Sequence, residues 1–223
     1  MPGGGGELRL MRRGAEFSIM SGTIELMNSR ISGSEEQLAT MACRRMGDRK
    51  RPKLLIGGLG MGFTLRAALA ELGDEARLVV AELVPAVAAW ARGPLAEIFG
   101  DCLTDPRVEI RIADVGRLIR RGSSSYDAIL LDVDNGPSGL TRKANDGLYD
   151  IDGLTAARMA LQPGGVLAVW SSGPDRNFTR RLRRAGFDAE EVTVRANGAR
   201  RVIWIATNRG AGARPRSARN RKE

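Results

Sequence analysis

Short apolar runs alternate with longer amphipathic segments along most of the chain. The runs predict buried strands and lie at residues 54–56, 77–83, 107–113, 126–131 and 166–170. The segments between and after them have apolar residues three or four positions apart, which predicts helices at 64–72, 84–98, 145–161 and 175–185, with a break in the second at Gly93-Pro94. Strands alternating with helices are typical of an α/β fold built on a parallel sheet.

The two ends of this region show a different pattern. Residues 7–12 and 17–27 alternate apolar and polar positions, which predicts two or three short antiparallel strands, and Ser34 resembles the cap of a helix that runs to residue 46. Residues 189–195 and 201–207 predict a closing hairpin. The chain is therefore divided into a small N-terminal β-hairpin and helix appendage (1–47), a main domain (48–208) and a basic disordered tail (209–223).

A glycine-rich turn follows the first strand of the main domain. The sequence from residue 53 to 65 is K-L-L-I-G-G-L-G-M-G-F-T-L, which places Gly58, Gly60 and Gly62 between a strand and a helix. Glycines at such a turn let a ligand approach the N–H groups that open the helix, as in nucleotide-binding crossovers. An ordinary strand-to-helix turn can carry the same glycines, so the motif needs support from elsewhere in the chain.

Acidic residues supply that support, because they stand where successive strands end. Glu82 ends the second strand, 20 residues beyond Gly62, and its carboxylate is placed to accept both hydroxyls of a ribose. Asp114 ends the third strand, and Asp132 and Asp134 end the fourth, before a Gly136-Pro137 turn. Since parallel strands bind ligands at their carboxyl edge, we expect these groups to share one site. For Asp132 and Asp134 the alternative is that they are solvated residues of a loop, without a role in a ligand site.

Composition narrows the chemistry. The 223 residues contain no histidine, so acid–base work falls to carboxylates, Tyr126 or Tyr149, and the widely spaced Cys43 and Cys102 suggest neither a metal site nor a disulfide. The tail holds six basic residues and one acid, hence +5 of the formal charge of +9. Nucleic-acid binding is thus a minor possibility confined to the tail and residues 180–184, with a solvated tail as the alternative. No leader or membrane span is apparent, which favours a cytoplasmic protein.

The motifs together resemble the spermidine synthases and, behind them, the class I AdoMet-dependent methyltransferases, over residues 26–208. The resemblance rests on I-G-G-L-G-M-G-F-T-L-R, V-V-A-E-L, D-P-R-V-E-I, Y-D-A-I-L-L-D-V-D, G-L-Y and L-Q-P-G-G-V-L. It implies a Rossmann-like, doubly wound, seven-stranded sheet with a small N-terminal β appendage. It also implies a homodimer, because the N-terminal β-domain of that family helps to cover the site and to form dimers.

Site residues follow from the resemblance position by position. Glu82 would hold the ribose, Asp114 the adenine amino group, and Asp132 would orient and deprotonate the attacking amine. The implied donor-binding set is Gly58, Gly60, Met61, Gly62, Glu82, Leu83, Asp114, Val115 and Asp132, and the implied catalytic set is Asp132, Asp134 and Tyr149. Two positions depart from the family: Met61 stands where an acid usually contacts the amine end of decarboxylated AdoMet, and Asn135 stands where a second acid is usual, with Asp134 one residue away.

The leading hypothesis is a transferase that moves an aminopropyl group from an AdoMet-type sulfonium to an amine, with no metal. Six aspartates between residues 127 and 152, against Arg142 and Lys143, support a cationic ligand in an otherwise basic protein. A methyltransferase using AdoMet itself is the nearest alternative, and Met61 favours it. A non-catalytic nucleoside-binding protein with a nucleic-acid-binding tail is the alternative from another class.

Overall fold

The computed structural model describes residues 7–133, 136–137, 146–196 and 198–210. They form a three-stranded antiparallel sheet and a seven-stranded mixed sheet. The small sheet contains β1 (Leu8–Arg13), β2 (Glu16–Ser21) and β3 (Ile24–Asn28). The large sheet contains β4 (Lys53–Gly57), β5 (Arg77–Glu82), β6 (Val108–Ile112), β7 (Tyr126–Leu131), β8 (Leu161–Ser171), β9 (Phe187–Ala196) and β10 (Ala199–Asn208).

Helices connect the strands of the large sheet and precede its first strand. They are α1 (Gly33–Met46), α2 (Phe63–Glu71), α3 (Pro85–Arg92), α4 (Ala96–Phe99), α5 (Val115–Arg121), α6 (Asp146–Tyr149), α7 (Ile151–Ala160) and α8 (Phe178–Arg184), with a 3-10 turn at Gly100–Leu103. Among the described residues, none of these helices has the length and apolar content needed to cross a bilayer.

Strand order in the large sheet is β6-β5-β4-β7-β8-β10-β9. Strands β4 to β8 run parallel, and β10 lies antiparallel between β8 and β9. The chain moves outward in one direction from β4 and in the other from β7. The point between β4 and β7 is therefore the switch point at which open α/β sheets bind ligands. The predicted doubly wound sheet with a small N-terminal β appendage is confirmed.

Alternating apolar residues of the parallel strands build a core on each face of the sheet. Leu54 and Ile56 face one way, with α1, α2 and α3, and the small sheet adds Phe17 and Ile19 to the same side. Leu55 faces the other way, with α5, α7 and α8. Strands buried on both faces read as continuous apolar runs, which is why the sequence identified them.

Two local predictions need correction, and a third is confirmed. Ser34 does not cap α1. The helix begins at Gly33, its N-cap position is Ser32, and Ser34 is the second residue of the helix. The single helix predicted at 145–161 is wrong for its described part: the chain breaks at Asp150, whose carboxylate accepts a hydrogen bond from the Gly153 N–H at 2.7 Å and starts a new helix. The break predicted at Gly93-Pro94 is confirmed between α3 and α4.

The N-terminal stretch 1–6 and the tail beyond residue 210 lie outside the described residues, so the three-part division of the chain stays a prediction.

Candidate active site

Backbone contact between the ends of β4 and β7 forms the base of the site. The Asp132 N–H donates to the Gly57 carbonyl at 3.0 Å, and the chain then turns at Gly58, where φ is +90°. A Cβ at Gly58 would stand 2.3 Å from the Asp132 carbonyl oxygen. A side chain at that position is incompatible with this packing, so glycine is needed both for its backbone conformation and for the space.

The rest of the glycine turn is shaped by its neighbours. Gly62 has a φ of +79°, and a Cβ there would stand 2.6 Å from the ring of Phe99. Gly60 has a φ of +51° and lies under the sulfur of Met27 from β3. Met61 is only 3% exposed and packs in the core that includes α1 and α2. The turn therefore brings bare backbone, and the apolar side chains of Leu59 and Met61, to the edge of the sheet.

Glu82 holds this turn in place. Its side chain is buried at the end of β5, where Oε2 accepts a hydrogen bond from the Leu59 N–H at 3.0 Å and Oε1 accepts one from the Val84 N–H at 2.8 Å. Leu83 follows it, half-buried, before α3. Each carboxylate oxygen can accept more than one hydrogen bond, so this geometry is compatible with the predicted ribose contacts.

Asp114 begins α5 at the end of β6. Its Oδ1 accepts a hydrogen bond from the Arg117 N–H at 2.9 Å, as expected for a helix N-cap, and the residue is half-buried. Val115 next to it is buried, with a methyl group 3.0 Å from the place a Cβ on Gly57 would take. The predicted adenine-binding position therefore stands at the same sheet edge as Glu82 and the glycine turn.

Asp132 has the electrostatics of a proton-exchanging group. Its Oδ2 accepts a hydrogen bond from the Thr64 hydroxyl at 2.6 Å. The pKa of the Asp132 carboxyl is raised to about 7, mainly by loss of solvent and also by the Glu35 carboxylate, while the Thr64 hydrogen bond acts in the opposite direction. A base whose pKa lies near neutral pH is suited to accept a proton during catalysis.

A cavity separates Asp132 from the N-terminal sheet and α1. The described residues that line it come from β3, α1, the glycine turn, the start of α2 and the ends of β7 and β8: Leu26, Met27, Asn28, Glu35, Leu59, Gly60, Met61, Phe63, Asp132 and Trp170. Most of these side chains are apolar, and Glu35 and Asp132 are the ionisable ones. No group of three or more acidic or cysteine side chains among the described residues forms a metal-binding cluster.

Comparison with known sequences shows one recurring class of relative. The chain is 30% identical over 132 residues to a polyamine aminopropyltransferase of Mycobacterium tuberculosis, a match that covers 58% of this chain and 24% of the relative. It is 34% identical over 124 residues to the Nitrosomonas europaea polyamine aminopropyltransferase, covering 56% of this chain and 36% of that one.

The chain is similar in sequence to polyamine aminopropyltransferases.

The similarity is partial. The matches span between 22% and 41% of the lengths of these curated relatives, and no family model matches the chain.

Solved structures confirm the fold. A Thermotoga maritima spermidine synthase superposes with a TM-score of 0.71 at 21% identity, covering 90% of this chain and 69% of that one. A spermidine synthase bound to the transition-state analogue AdoDATO gives 0.74 at 21% identity, covering 90% and 70%. A Burkholderia thailandensis methyltransferase bound to S-adenosylhomocysteine gives 0.56 at 19% identity, covering 79% and 78%. The spermidine-synthase-like resemblance stated from the motifs is thus confirmed at the level of fold and sequence similarity.

The predicted residues do not all meet at the cavity. Asp132, Met61 and Gly60 line it, while Tyr149 is 4% exposed in the core on the opposite face of the sheet, with its ring 5.8 Å from that of Phe178. The Tyr149 hydroxyl donates to the Val133 carbonyl at 3.4 Å, so Tyr149 contacts the segment that follows Asp132 rather than the described cavity. Asp134 lies outside the described residues. Both remain predictions as catalytic groups.

Sequence reasoning did not identify seven of the described lining residues, namely Leu26, Met27, Asn28, Glu35, Leu59, Phe63 and Trp170. The sequence pattern places Glu35 only within a helix predicted to run to residue 46, and Trp170 only at the end of a strand predicted at 166–170. The available signal was that neither Glu35 nor Glu36 has a basic residue four positions later, so no helical ion pair accounts for the acids. That signal says nothing about where α1 packs, which is what brings Glu35 to Asp132.

Proposed function

We propose that this protein transfers an alkyl group, in the first instance an aminopropyl group, from an AdoMet-type sulfonium donor to an amine. The observation that carries the proposal is Asp132, a carboxyl group with a pKa of about 7 that is held by Thr64 at the switch point of the sheet, beside the glycine turn. The sequence similarity to polyamine aminopropyltransferases supports the same reaction class.

The donor's nucleoside would lie along the carboxyl edge of β4, β5 and β6. The glycine turn would allow close approach of the backbone, Glu82 would accept hydrogen bonds from the ribose, and Asp114 would contact the adenine amino group; the position of all three at one edge of the sheet supports this assignment. The glycine turn is compatible with the nucleoside of the donor, because its glycines have left-handed backbone angles and leave no side chain between the backbone and a ligand. The binding set predicted from the sequence is part of this proposal.

The chemistry is an in-line displacement. The amine nitrogen forms a bond to the carbon attached to the sulfonium, the bond between that carbon and sulfur breaks, and a neutral thioether leaves with the electron pair. The nitrogen loses one proton, which Asp132 accepts in its ionised form. The apolar lining of the cavity, including Leu59, Met61 and Phe63, excludes water from the reacting carbon. Holding both reactants in line contributes a large part of the rate.

A methyltransferase of the same fold is the second candidate. Met61 favours it, because this residue is buried and apolar at the place in the turn where the resemblance leads one to expect an acid for the amine end of decarboxylated AdoMet. The two candidates share the nucleoside site and Asp132, and they differ in the group that moves.

The test is an assay of both donors against a panel of small amines, with products identified by mass. An aminopropyl adduct supports the proposal and a methyl adduct supports the second candidate. Asp132→Asn keeps the shape of the side chain and should lower turnover by about 10²–10⁴-fold while donor binding is retained. Asp152→Asn makes the same charge change on an exposed helix position and is the matched control. Full turnover in Asp132→Asn, or failure of both donors to bind, would contradict the proposal.

A further inference from the structure

Glu35 and Asp132 form an uncompensated pair of acids in the cavity. No basic residue is among the described residues that line it. Within the described part of the chain, neither carboxylate forms an ion pair: the Glu35 Oε2 accepts a hydrogen bond from the Ser34 hydroxyl at 2.5 Å, and the Asp132 Oδ2 accepts one from Thr64. Two carboxyl groups in a partly desolvated space repel each other unless one is protonated or a cation lies between them.

The remaining lining gives this acidic site an apolar character. Leu26 and Met27 come from β3, Leu59 and Met61 from the glycine turn, and Trp170 from the end of β8. The guanidinium of Arg201 lies 5.9 Å from the centroid of the Trp170 ring, but Arg201 does not line the cavity. The indole N–H of Trp170 is shielded from solvent and has no hydrogen-bond acceptor among the described residues. An ammonium group on an apolar stem matches such a lining.

The acid that distinguishes this cavity comes from α1 and not from the glycine turn. The turn contributes Met61, whose side chain carries no charge, so removal of Glu35 would leave Asp132 as the only acidic group among the described lining residues. Asp132 stands at the reacting centre in the proposed mechanism. Glu35 is therefore the residue that can select ligands by charge without taking part in proton transfer.

We propose that Glu35 determines the charge preference of this cavity, by binding an ammonium group carried on an apolar stem and by disfavouring a ligand that brings a carboxylate to the same place. The proposal rests on the proposed transferase function. The ammonium has two possible sources, the amine-bearing end of the donor or the amine acceptor. In the first case Glu35 selects decarboxylated AdoMet over AdoMet, and in the second it selects cationic acceptors.

The proposal is tested by titration calorimetry on the intact chain and its Glu35→Gln variant. Glu36→Gln is the matched control, since Glu36 belongs to the same helical turn, is also half-buried and does not line the cavity. The nucleoside probes are methylthioadenosine, which has no ammonium end, decarboxylated AdoMet and AdoMet. The acceptor probe is 1,4-diaminobutane, with uncharged 1,4-butanediol beside it, each titrated with and without methylthioadenosine.

We expect Glu35→Gln to bind methylthioadenosine like the parent. A hydrogen bond to a charged group contributes enough that its loss should weaken binding of the selected cation about ten- to a hundredfold. If the donor supplies the ammonium, the preference for decarboxylated AdoMet over AdoMet falls and diamine binding is unchanged. If the acceptor supplies it, diamine binding falls and the donor preference is unchanged. Glu35→Asp, which retains the charge, should recover part of the lost affinity in either case.

The proposal is overturned if Glu35→Gln behaves like Glu36→Gln with every probe, or if diamine and diol bind equally and the two donors bind equally to the parent protein. The proposed transferase function is refuted by a different result, namely that none of the three nucleosides binds. Diamine binding that still depends on Glu35 in that event would support the charge preference alone, and absence of all binding would overturn both.

Discussion

The raised pKa of Asp132 makes a quantitative prediction about stability. The carboxyl has a pKa of about 7 in the folded chain and an ordinary value near 3.8 when exposed, so the folded state binds more protons than the unfolded state between about pH 4 and pH 7. Stability depends on pH through the difference in bound protons. Asp132 therefore lowers the free energy of unfolding progressively as the pH rises through this window, and the penalty is fully present above pH 7.

The size of this loss of stability follows from the shift in the pKa of Asp132. About three pKa units at about 1.4 kcal/mol per unit give an upper value of about 4 kcal/mol. Asp132 as a whole residue is only half-buried, and structural relaxation and water penetration reduce the effective penalty of a buried charge, so we expect about 2 kcal/mol. Asp132→Asn removes the titration while keeping the shape, so its stability relative to the parent should rise by about 2 kcal/mol between pH 4 and pH 8.

Urea unfolding of both proteins without ligand, at several pH values in this range, measures the difference directly. Other titrating groups are common to both proteins and cancel. A flat difference for Asp132→Asn would refute the reasoning, because it would mean that Asp132 is ionised in the folded chain with an ordinary pKa.

Four further predictions follow from single contacts. Glu82→Ala should weaken methylthioadenosine binding by about 1–3 kcal/mol in calorimetry, since it leaves ribose hydroxyls without acceptors. Thr64→Val should shift the pH profile of kcat/KM to higher pH, because the Thr64 hydrogen bond lowers the pKa of Asp132, whereas Thr64→Ser should not. Gly58→Ala should cost more than about 2 kcal/mol of stability, because it combines a clash with a strained backbone angle. Deletion of residues 209–223 should leave thermal stability and nucleoside affinity nearly unchanged, since this segment has almost no large apolar residues.

Each of these has a clear contrary result. Unaltered nucleoside affinity in Glu82→Ala would show that the ribose assignment is wrong, and an unshifted profile in Thr64→Val would remove Thr64 from the control of Asp132. Gly73→Ala is the control for Gly58→Ala, because a Cβ at Gly73 meets no atom within 4 Å, so equal effects at the two positions would contradict the steric argument. A large loss of melting temperature in the truncated chain would show that the tail contributes to the folded structure.

The sequence predicted the features that depend on local pattern. Parallel strands buried on both faces appear as apolar runs, and their carboxyl ends carry Glu82, Asp114 and Asp132, so the amino-acid pattern alone was enough to locate the sheet edge. The Asp150 cap shows the limit of periodicity. Residues 146–160 have continuous helical spacing, but an aspartate that can bond a backbone N–H three residues later offers the chain a place to restart.

Side-chain destinations could not be predicted in the same way. Tyr149 is close in sequence to the acidic segment, yet its ring packs with Phe178 on the far face of the sheet. Glu35 lies far from Asp132 in sequence, and the two share a cavity only because α1 packs over the large sheet next to α2. Such long-range contacts are determined by the packing of the core. The sequence around the polar residue has no periodic pattern that indicates them.

The position of α1 also links ligand binding to folding of the N-terminal segment. Leu38, Ala39 and Ala42 of this helix are buried against the same core as Leu54 and Ile56, while Glu35, one turn earlier, faces the cavity. A cation held by Glu35 would therefore oppose any local opening that lifts the start of α1 from the sheet. Amide hydrogens in the first turn of α1 should exchange more slowly when a ligand occupies the cavity. Hydrogen exchange in this helix can therefore measure occupancy of a site whose proposed chemistry takes place at the end of β7.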